Sequence, residues 1–256
     1  GYHTQGGGGS FGLDVNILKD GYLGVLGSGT YTDVSFSSQG GVGYISSGYF
    51  GLYGSYMGPK KYLNLNMIGA VNKYSAKRNI IFPGYNKTAK SDHKGYQLLS
   101  HADAGLIFEV SGIEVRPFEW LDYIIEHQTP LNETGAGAQD LHIQSNNPQI
   151  IRNELGFNFA KCYKINRNSN LLTDLKLSWV YEARIKGKMF TSNFTSYPVE
   201  TFLTEGYFPF RNLFSPGASI TFNFANGKGF IMGSYDAEMG YKYLDQRVGA
   251  QFAIQF

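Results

Sequence analysis

Apolar and polar residues alternate along most of this chain with a period of two. From Phe11 onward, Phe11, Leu13, Val15 and Ile17 share one parity, and Gly12, Asp14 and Asn16 share the other. The pattern returns with Leu63, Leu65, Met67 and Val71 against Asn64, Asn66 and Asn72, and with Leu155, Phe157 and Phe159 against Glu154, Gly156 and Asn158. Leu175, Leu177, Trp179 and Tyr181 oppose Lys176, Ser178 and Glu182; Ile220, Phe222 and Phe224 oppose Ser219, Thr221 and Asn223. The last run sets Val248, Ala250, Phe252, Ile254 and Phe256 against Gly249, Gln251, Ala253 and Gln255. This period belongs to strands with one apolar and one polar face. It predicts eleven strands, at 9–19, 21–35, 43–57, 61–76, 94–110, 113–127, 149–162, 171–183, 209–224, 229–241 and 246–256. Each is long enough for the ~9–11 residues that cross a bilayer obliquely.

The polar parity carries Asp14, Glu154, Lys176, Glu182, Asp236 and Glu238 near mid-strand. Such charges belong in water or in paired networks, so the apolar parity faces lipid and the polar parity a wet lumen. The fold expected is all-β, a transmembrane antiparallel up-and-down β-barrel forming a single domain over 1–256. A soluble lipocalin-like barrel would reverse the faces, but eleven long amphipathic strands exceed what such a fold uses.

Connection lengths agree. Long connections at 77–94, 128–148 and 183–208 and a longer one at 35–43 alternate mostly with short ones at 19–21, 58–61, 111–114 and 225–229; 163–170 is medium and 242–246 modest. The short ones carry turn residues: Asp20 with Gly21, Gly58 with Pro59, Ser111 with Gly112, Asn226 with Gly227. Outer-membrane barrels pair short periplasmic turns with long external loops. The long loops are therefore expected to be extracellular and the C-terminus periplasmic. An odd count of eleven leaves a closed barrel wanting one more strand before residue 1.

Composition narrows the alternatives. The chain has 33 Gly, 19 Tyr and 19 Phe, and only 16% charged residues, too aromatic and too uncharged for a disordered chain. A net charge of +2 argues against nucleic-acid binding. The single cysteine, Cys162, excludes an internal disulfide framework and a multi-thiolate metal site; no cofactor or metal is expected. Mean hydropathy is −0.24, and no run of ~18 apolar residues forms a membrane helix. Tyr49, Tyr53, Trp179, Tyr181, Tyr241, Tyr243 and Phe256 fit interfacial girdles. Glu119 shares a parity with Leu121, Tyr123 and Ile125, which places it at the periplasmic rim unless a bulge near Pro117 shifts the phase. The run 6–10 (GGGGS) reads either as an engineered linker or as a flexible strand entry.

The order of motifs resembles the translocator β-domain of autotransporters, the barrel of type V secretion. Gly12-Leu13-Asp14 looks like that family's Gly-x-Asp, and YLGVLGSGTYTD at 22–33 is similar to its Gly-rich strand ending in Tyr-x-Asp. YFGLYGSY at 49–56, the strand at 62–74, the block from Pro117 to Tyr123, the loop from His127 and LKLSWVYE at 175–182 match later blocks in order. The Pro117-Phe118 start and the 128–138 region are closest to the polymorphic membrane protein branch. Residues 247–256, with Gly249, Phe252, Ile254 and a terminal Phe256, resemble the signal read by the barrel assembly machinery. Arg116 departs from the acidic residue many members place before the Pro. The family's first strand and lumen-threading helix have no counterpart in this chain.

The resemblance implies a twelve-stranded barrel, eleven of them in this chain, that exports an N-terminal passenger and anchors it at the surface of the bacterial outer membrane. Lipids, lipopolysaccharide, the assembly machinery and the chain's own passenger would be its partners, with the barrel a monomer and not an enzyme. Asp14, Arg116, Glu154, Lys176, Glu182, Asp236 and Glu238 would line the lumen, the four acids Glu154, Glu182, Asp236 and Glu238 facing Lys176 and Arg116. A passenger-less pore or adhesin barrel shares every lipid-facing feature. A hydrolase barrel would need outer-rim residues such as Asp92, His93 and His127 to converge. Lys73, Lys77, Arg78, Lys87, Lys90 and Lys94 form a basic cluster on the outer side, near lipopolysaccharide phosphates.

The face assignment predicts that Phe222→Arg impairs barrel assembly far more than Thr221→Arg, scored by heat-modifiable migration of the folded protein; equal damage contradicts it.

Overall fold

The computed structural model describes residues 1–37, 40–206 and 212–254. In chain order the strands are β1 (Tyr2–Leu18), β2 (Gly21–Phe36), β3 (Gly41–Met57), β4 (Lys61–Phe82), β5 (Tyr85–Leu106), β6 (Phe108–Val110), β7 (Ile113–Gln128), β8 (Leu131–Asn132), β9 (Leu141–Ile143), β10 (Gln149–Asn166), β11 (Ser169–Lys186), β12 (Met189–Phe194), β13 (Thr201–Glu205), β14 (Asn212–Phe224), β15 (Gly229–Gly240) and β16 (Tyr243–Ile254). Eleven long strands form one antiparallel sheet in the order β1-β2-β3-β4-β5-β7-β10-β11-β14-β15-β16, with β6 added beside β7. The sheet curls into an incomplete barrel. Among the described residues no backbone ladder joins β1 to β16.

The two faces follow the alternation. Leu63, Leu65, Met67 and Val71 of β4 are exposed on the convex side, while Tyr62, Ala70 and Asn72 are buried on the concave side. Leu155, Leu175, Leu177, Trp179, Phe214, Phe222 and Phe252 are likewise exposed, against buried Glu154, Ser178, Val180 and Ser215. Large exposed apolar side chains in unbroken rows suit a lipid solvent, in which every backbone polar group must be paired within the sheet.

Several strands are longer than the alternation predicts. The expected loop 77–94 is a continuation of β4 and β5, turning only at Pro83 and Gly84. Above the apolar band most residues on both faces of this hairpin are polar, so the period-two signal fades while the ladder persists. The expected medium connection 163–170 is a tight turn at Arg167 and Asn168. Residues 243–245, placed in a connection by the pattern, open β16, and β5 ends at Leu106 instead of running to 110. The run 6–10 lies within β1, paired residue for residue with β2. The turn at Ser111 and Gly112 has positive φ at both positions, 53° and 77°, the backbone of a two-residue hairpin that matches strand twist. The start of the expected strand at 209–211, and residues 255 and 256, fall outside the described residues.

Tyr49 and Tyr53 are corrections to the interfacial girdle. Both lie on the concave face of β3: Tyr53 donates to Asp14 at 3.2 Å, and the Tyr49 hydroxyl is 3.5 Å from Thr30 Oγ1. Apolar bulk misled the assignment, since an aromatic ring also covers a glycine on a neighbouring strand. Gly24 pairs with Tyr53, Gly105 with Tyr62 and Gly156 with Phe118. A Cβ on Gly24 or Gly105 would stand 2.4 Å from the facing ring. Rings laid over glycines fill what would be gaps in the concave wall.

Glu119 stays on the convex face. The β7–β10 register runs without a shift from Glu114 to Ile125, so no bulge intervenes. Its carboxylate accepts from Asn153 Nδ2 at 3.0 Å, and a local polar partner reduces the cost of an outward charge.

Gly105→Ala should destabilise the folded protein by about 1–3 kcal/mol through overpacking against Tyr62. Gly48→Ala, where a Cβ meets nothing within 4 Å, should change stability by less than ~0.5 kcal/mol. Urea unfolding in detergent micelles measures both.

Candidate functional site: the charged lumen wall

The concave face carries a belt of polar side chains that crosses most of the sheet. In β10, Arg152 and Glu154 are two residues apart and so point to the same face. Arg152 is the hub. Its Nη2 is 2.8 Å from Glu238 Oε1 and its Nη1 3.2 Å from Glu238 Oε2, a forked pair. Nη1 also lies 3.3 Å from Glu182 Oε2, Nη2 3.4 Å from Glu154 Oε2, and Nε 4.0 Å from Asp122 Oδ2. Lys176 Nζ stands 3.1 Å from both Glu154 and Asp236 and 5.0 Å above the Trp120 ring. Glu154, 1% exposed, also accepts from Ser178 Oγ at 2.6 Å.

The belt extends in both directions. Arg247 of β16 reaches Glu238 at 3.2 Å and Asp245 at 2.5 Å. On the other side, Asp122 lies 2.5 Å from His101 Nδ1. Asp103 of β5 accepts from Asn64, which accepts from Ser55 of β3. Around Arg152, six carboxylates (Asp122, Glu154, Glu182, Asp236, Glu238, Asp245) face three strong cations (Arg152, Lys176, Arg247), so the wall is acidic while every charge has a partner.

Five of the seven residues singled out from sequence meet here: Glu154, Lys176 and Asp236 directly, and Glu182 and Glu238 through Arg152. Arg116 does not face these acids. It pairs with Asp174 and, at 3.3 Å, with Glu114, nearer the opposite end of the strands. Asp14 is on the same face but apart, held by Tyr53. The residue that sequence reasoning missed is Arg152. Its signal was available, since it shares the parity of Glu154 two positions earlier. Asp92, His93 and His127 have separate partners: Ser75 at 2.5 Å, the Tyr74 ring at 4.7 Å, and Asn147 at 2.8 Å.

The end opposite the C-terminus carries a second, smaller sheet. The connection between β7 and β10 and that between β11 and β14 contribute β8, β9, β12 and β13 to a four-stranded sheet in the order β13-β12-β9-β8. The tall β4–β5 hairpin leans on this structure. Arg78 forks onto Glu133 at 2.9 and 2.5 Å and reaches the Gln139 carbonyl at 2.9 Å. The Glu133 hydrogen bond raises the Arg78 pKa above its ordinary value. Tyr85 donates to the Ala136 carbonyl, and Lys90 and Thr134 exchange backbone bonds.

An antiparallel sheet of amphipathic strands, apolar outside and charged within, is the wall of a transmembrane β-barrel. The chain belongs to the autotransporter family: residues 1–236 match the model of the autotransporter beta-domain. It is an outer-membrane translocator barrel. Its fold is similar to the β domain of the Bordetella autotransporter BrkA (17% identity, TM-score 0.75, covering 100% of this chain and 92% of that one). It is also similar to the translocator domain of NalP from Neisseria meningitidis (13%, 0.77, 100% and 82%). The transport unit of AIDA-I from Escherichia coli is a third relative (14%, 0.59, 100% and 84%). No curated protein sequence matches. The match is to the family as a whole and does not distinguish its branches.

Arg152→Ala would leave Glu154, Glu182 and Glu238 together without their shared cation, and should cost about 3–5 kcal/mol. Adding Glu238→Gln should recover part of that loss, a coupling readable in a double-mutant cycle of urea unfolding.

Proposed function

We propose that this chain is the membrane anchor of a longer polypeptide, whose segment before Gly1 supplies a twelfth strand, a lumen helix and an exported passenger. The observation that carries this reading is the seam. Among the described residues no ladder joins the free edges of β1 and β16, and one added strand would satisfy both sets of backbone groups. A barrel above eight strands keeps a lumen that side chains do not fill. The paired charges around Arg152 then give a passing chain polar, hydrated walls whose own groups are already satisfied, so the chain is not gripped. Asp14 and Arg116 line the same lumen away from that cluster. The domain acts by conduction and anchoring, without covalent chemistry, as a monomer.

The orientation that fits is outward for the β4–β5 hairpin and the four-stranded sheet, with the C-terminus in the periplasm. On β16, Phe252 and Ile254 face outward at 61% and 47% exposure, with Gly249 opposite Ser234. Together with Phe256 they would form the signal read by the assembly machinery. Outer-membrane lipids and lipopolysaccharide would surround the convex face.

In intact cells, an epitope inserted after Gly84 should bind antibody, and one inserted after Gly112 should bind only after permeabilisation. The precursor's upstream segment should be digested by protease added outside. A folded barrel with no surface-exposed upstream segment would mean a pore or adhesin barrel and would overturn the export reading.

A further inference from the structure

The convex face of the β4–β5 hairpin changes character within one rung. On β4 the outward residues run Leu63, Leu65, Met67, Gly69, Val71, then Lys73, Ser75 and Lys77; on β5 they run Leu106, Ala104, Ala102, Ser100, Leu98, Tyr96, then Lys94, Asp92 and Lys90. Val71 and Tyr96, paired across the strands, are the last lipid-facing rung at 53% and 48% exposure. Immediately beyond them Lys73 pairs with Lys94, and two rungs further Lys77 pairs with Lys90. All four lysines are exposed.

Like charges directly opposite each other destabilise a strand pair, and here the arrangement occurs twice in one column. The carboxylate between the two pairs, Asp92, is engaged by Ser75 at 2.5 Å. Among the described residues none of the four lysines forms an ion pair with a carboxylate. The concave side of the same hairpin is closed, with Ala89 at 1% and Ser91 at 9% exposure under the 129–148 connection. The cations are therefore held outward by a braced hairpin. The two lysine pairs are four residues apart, about 13 Å along a strand. Beside them, Tyr44 pairs with Ser75 and Val42 with Lys77. These two residues wall a shallow depression of about 350 Å³, lined also by His3, Gln5 and Asp33, which offers hydrogen-bonding groups for hydroxyls.

We propose that this column is a binding site for the phosphorylated sugar headgroup of an outer-leaflet glycolipid, one phosphate seated at each lysine pair. The proposal rests on the outward orientation given above. Seating an anion between paired lysines relieves the repulsion at each rung, and the lipid's acyl chains then lie along the apolar rows of Leu65, Met67 and Leu98 below it.

The test uses the purified full precursor, folded in detergent, titrated by native mass spectrometry with a bis-phosphorylated glycolipid, its dephosphorylated form, phosphatidylglycerol and inorganic phosphate. Expected is retention of the bis-phosphorylated lipid, with neither the dephosphorylated lipid nor phosphatidylglycerol matching it and no displacement by inorganic phosphate. The variant Lys73→Gln/Lys77→Gln/Lys90→Gln/Lys94→Gln should lose roughly tenfold or more of that retention. Lys60→Gln/Lys61→Gln/Lys164→Gln, at the other end of the strands, should retain it. Should the fourfold variant not fold, the doubles Lys73→Gln/Lys94→Gln and Lys77→Gln/Lys90→Gln should each weaken binding. Equal binding of the dephosphorylated lipid, or unchanged binding by the lysine variants, overturns the proposal. So does preference for phosphatidylglycerol, which would put this rim at the inner leaflet. Lipid retention by a folded barrel that displays no upstream segment at the surface would count against the export reading alone.

Discussion

Lipid offers no hydrogen bonds, so each backbone N–H and C=O within the membrane must find its partner on a neighbouring strand. The rest of the molecule is arranged around that requirement. Among the described residues, long ladders from β1 to β16 meet it along most of the sheet, the exceptions being the two edges and a gap at Ser215 and Pro216 of β14. Continuous pairing forces strict alternation, which in turn sends Leu155, Leu177 and Trp179 outward and Glu154, Lys176 and Ser178 inward. The charged lumen wall is thus a by-product of ladder geometry that the sequence then exploits by placing Arg152 among the acids.

The barrel class was legible because lipid and water impose opposite demands on successive residues, and that contrast survives in a single sequence. The contrast ends where both faces meet water. This is why the upper halves of β4 and β5 read as a loop, and why the turn at Arg167 and Asn168 looked longer than it is. Parity also located Glu154, Glu182, Asp236 and Glu238 on one face but could not show which cation they share. That depends on curvature, which brings Arg152 of β10 across β11 and β14 to Glu238. Tyr49 and Tyr53 were misplaced for a related reason. A tyrosine reads as an interface residue by composition, yet its parity with Gly51 and Ser55 already put it inside.

Two regions off the lipid-facing surface are tied by different chemistry. The small sheet's connection is held by Arg78 on Glu133 and by backbone exchange between Lys90 and Thr134, contacts that bind a sequence-distant loop to one hairpin. The lumen belt is held by shared charges. Loss of one member in the first would free a loop; in the second it would leave buried carboxylates facing one another.

The four glycines at 6–9 leave one stretch of β1 with no side chain on either surface. Gly6 and Gly8 have no room for one, since a Cβ would lie 2.6 Å and 2.5 Å from the carbonyl oxygens of Tyr31 and Gly29. Glycine also loses the most conformational freedom on becoming a strand, roughly 0.5–1 kcal/mol more than alanine. The seam is therefore bordered by the thinnest and most pliable stretch of wall. Girth changes, whether during closure of the ring or passage of a bulky segment, will concentrate there, leaving the braced side around Arg152 rigid.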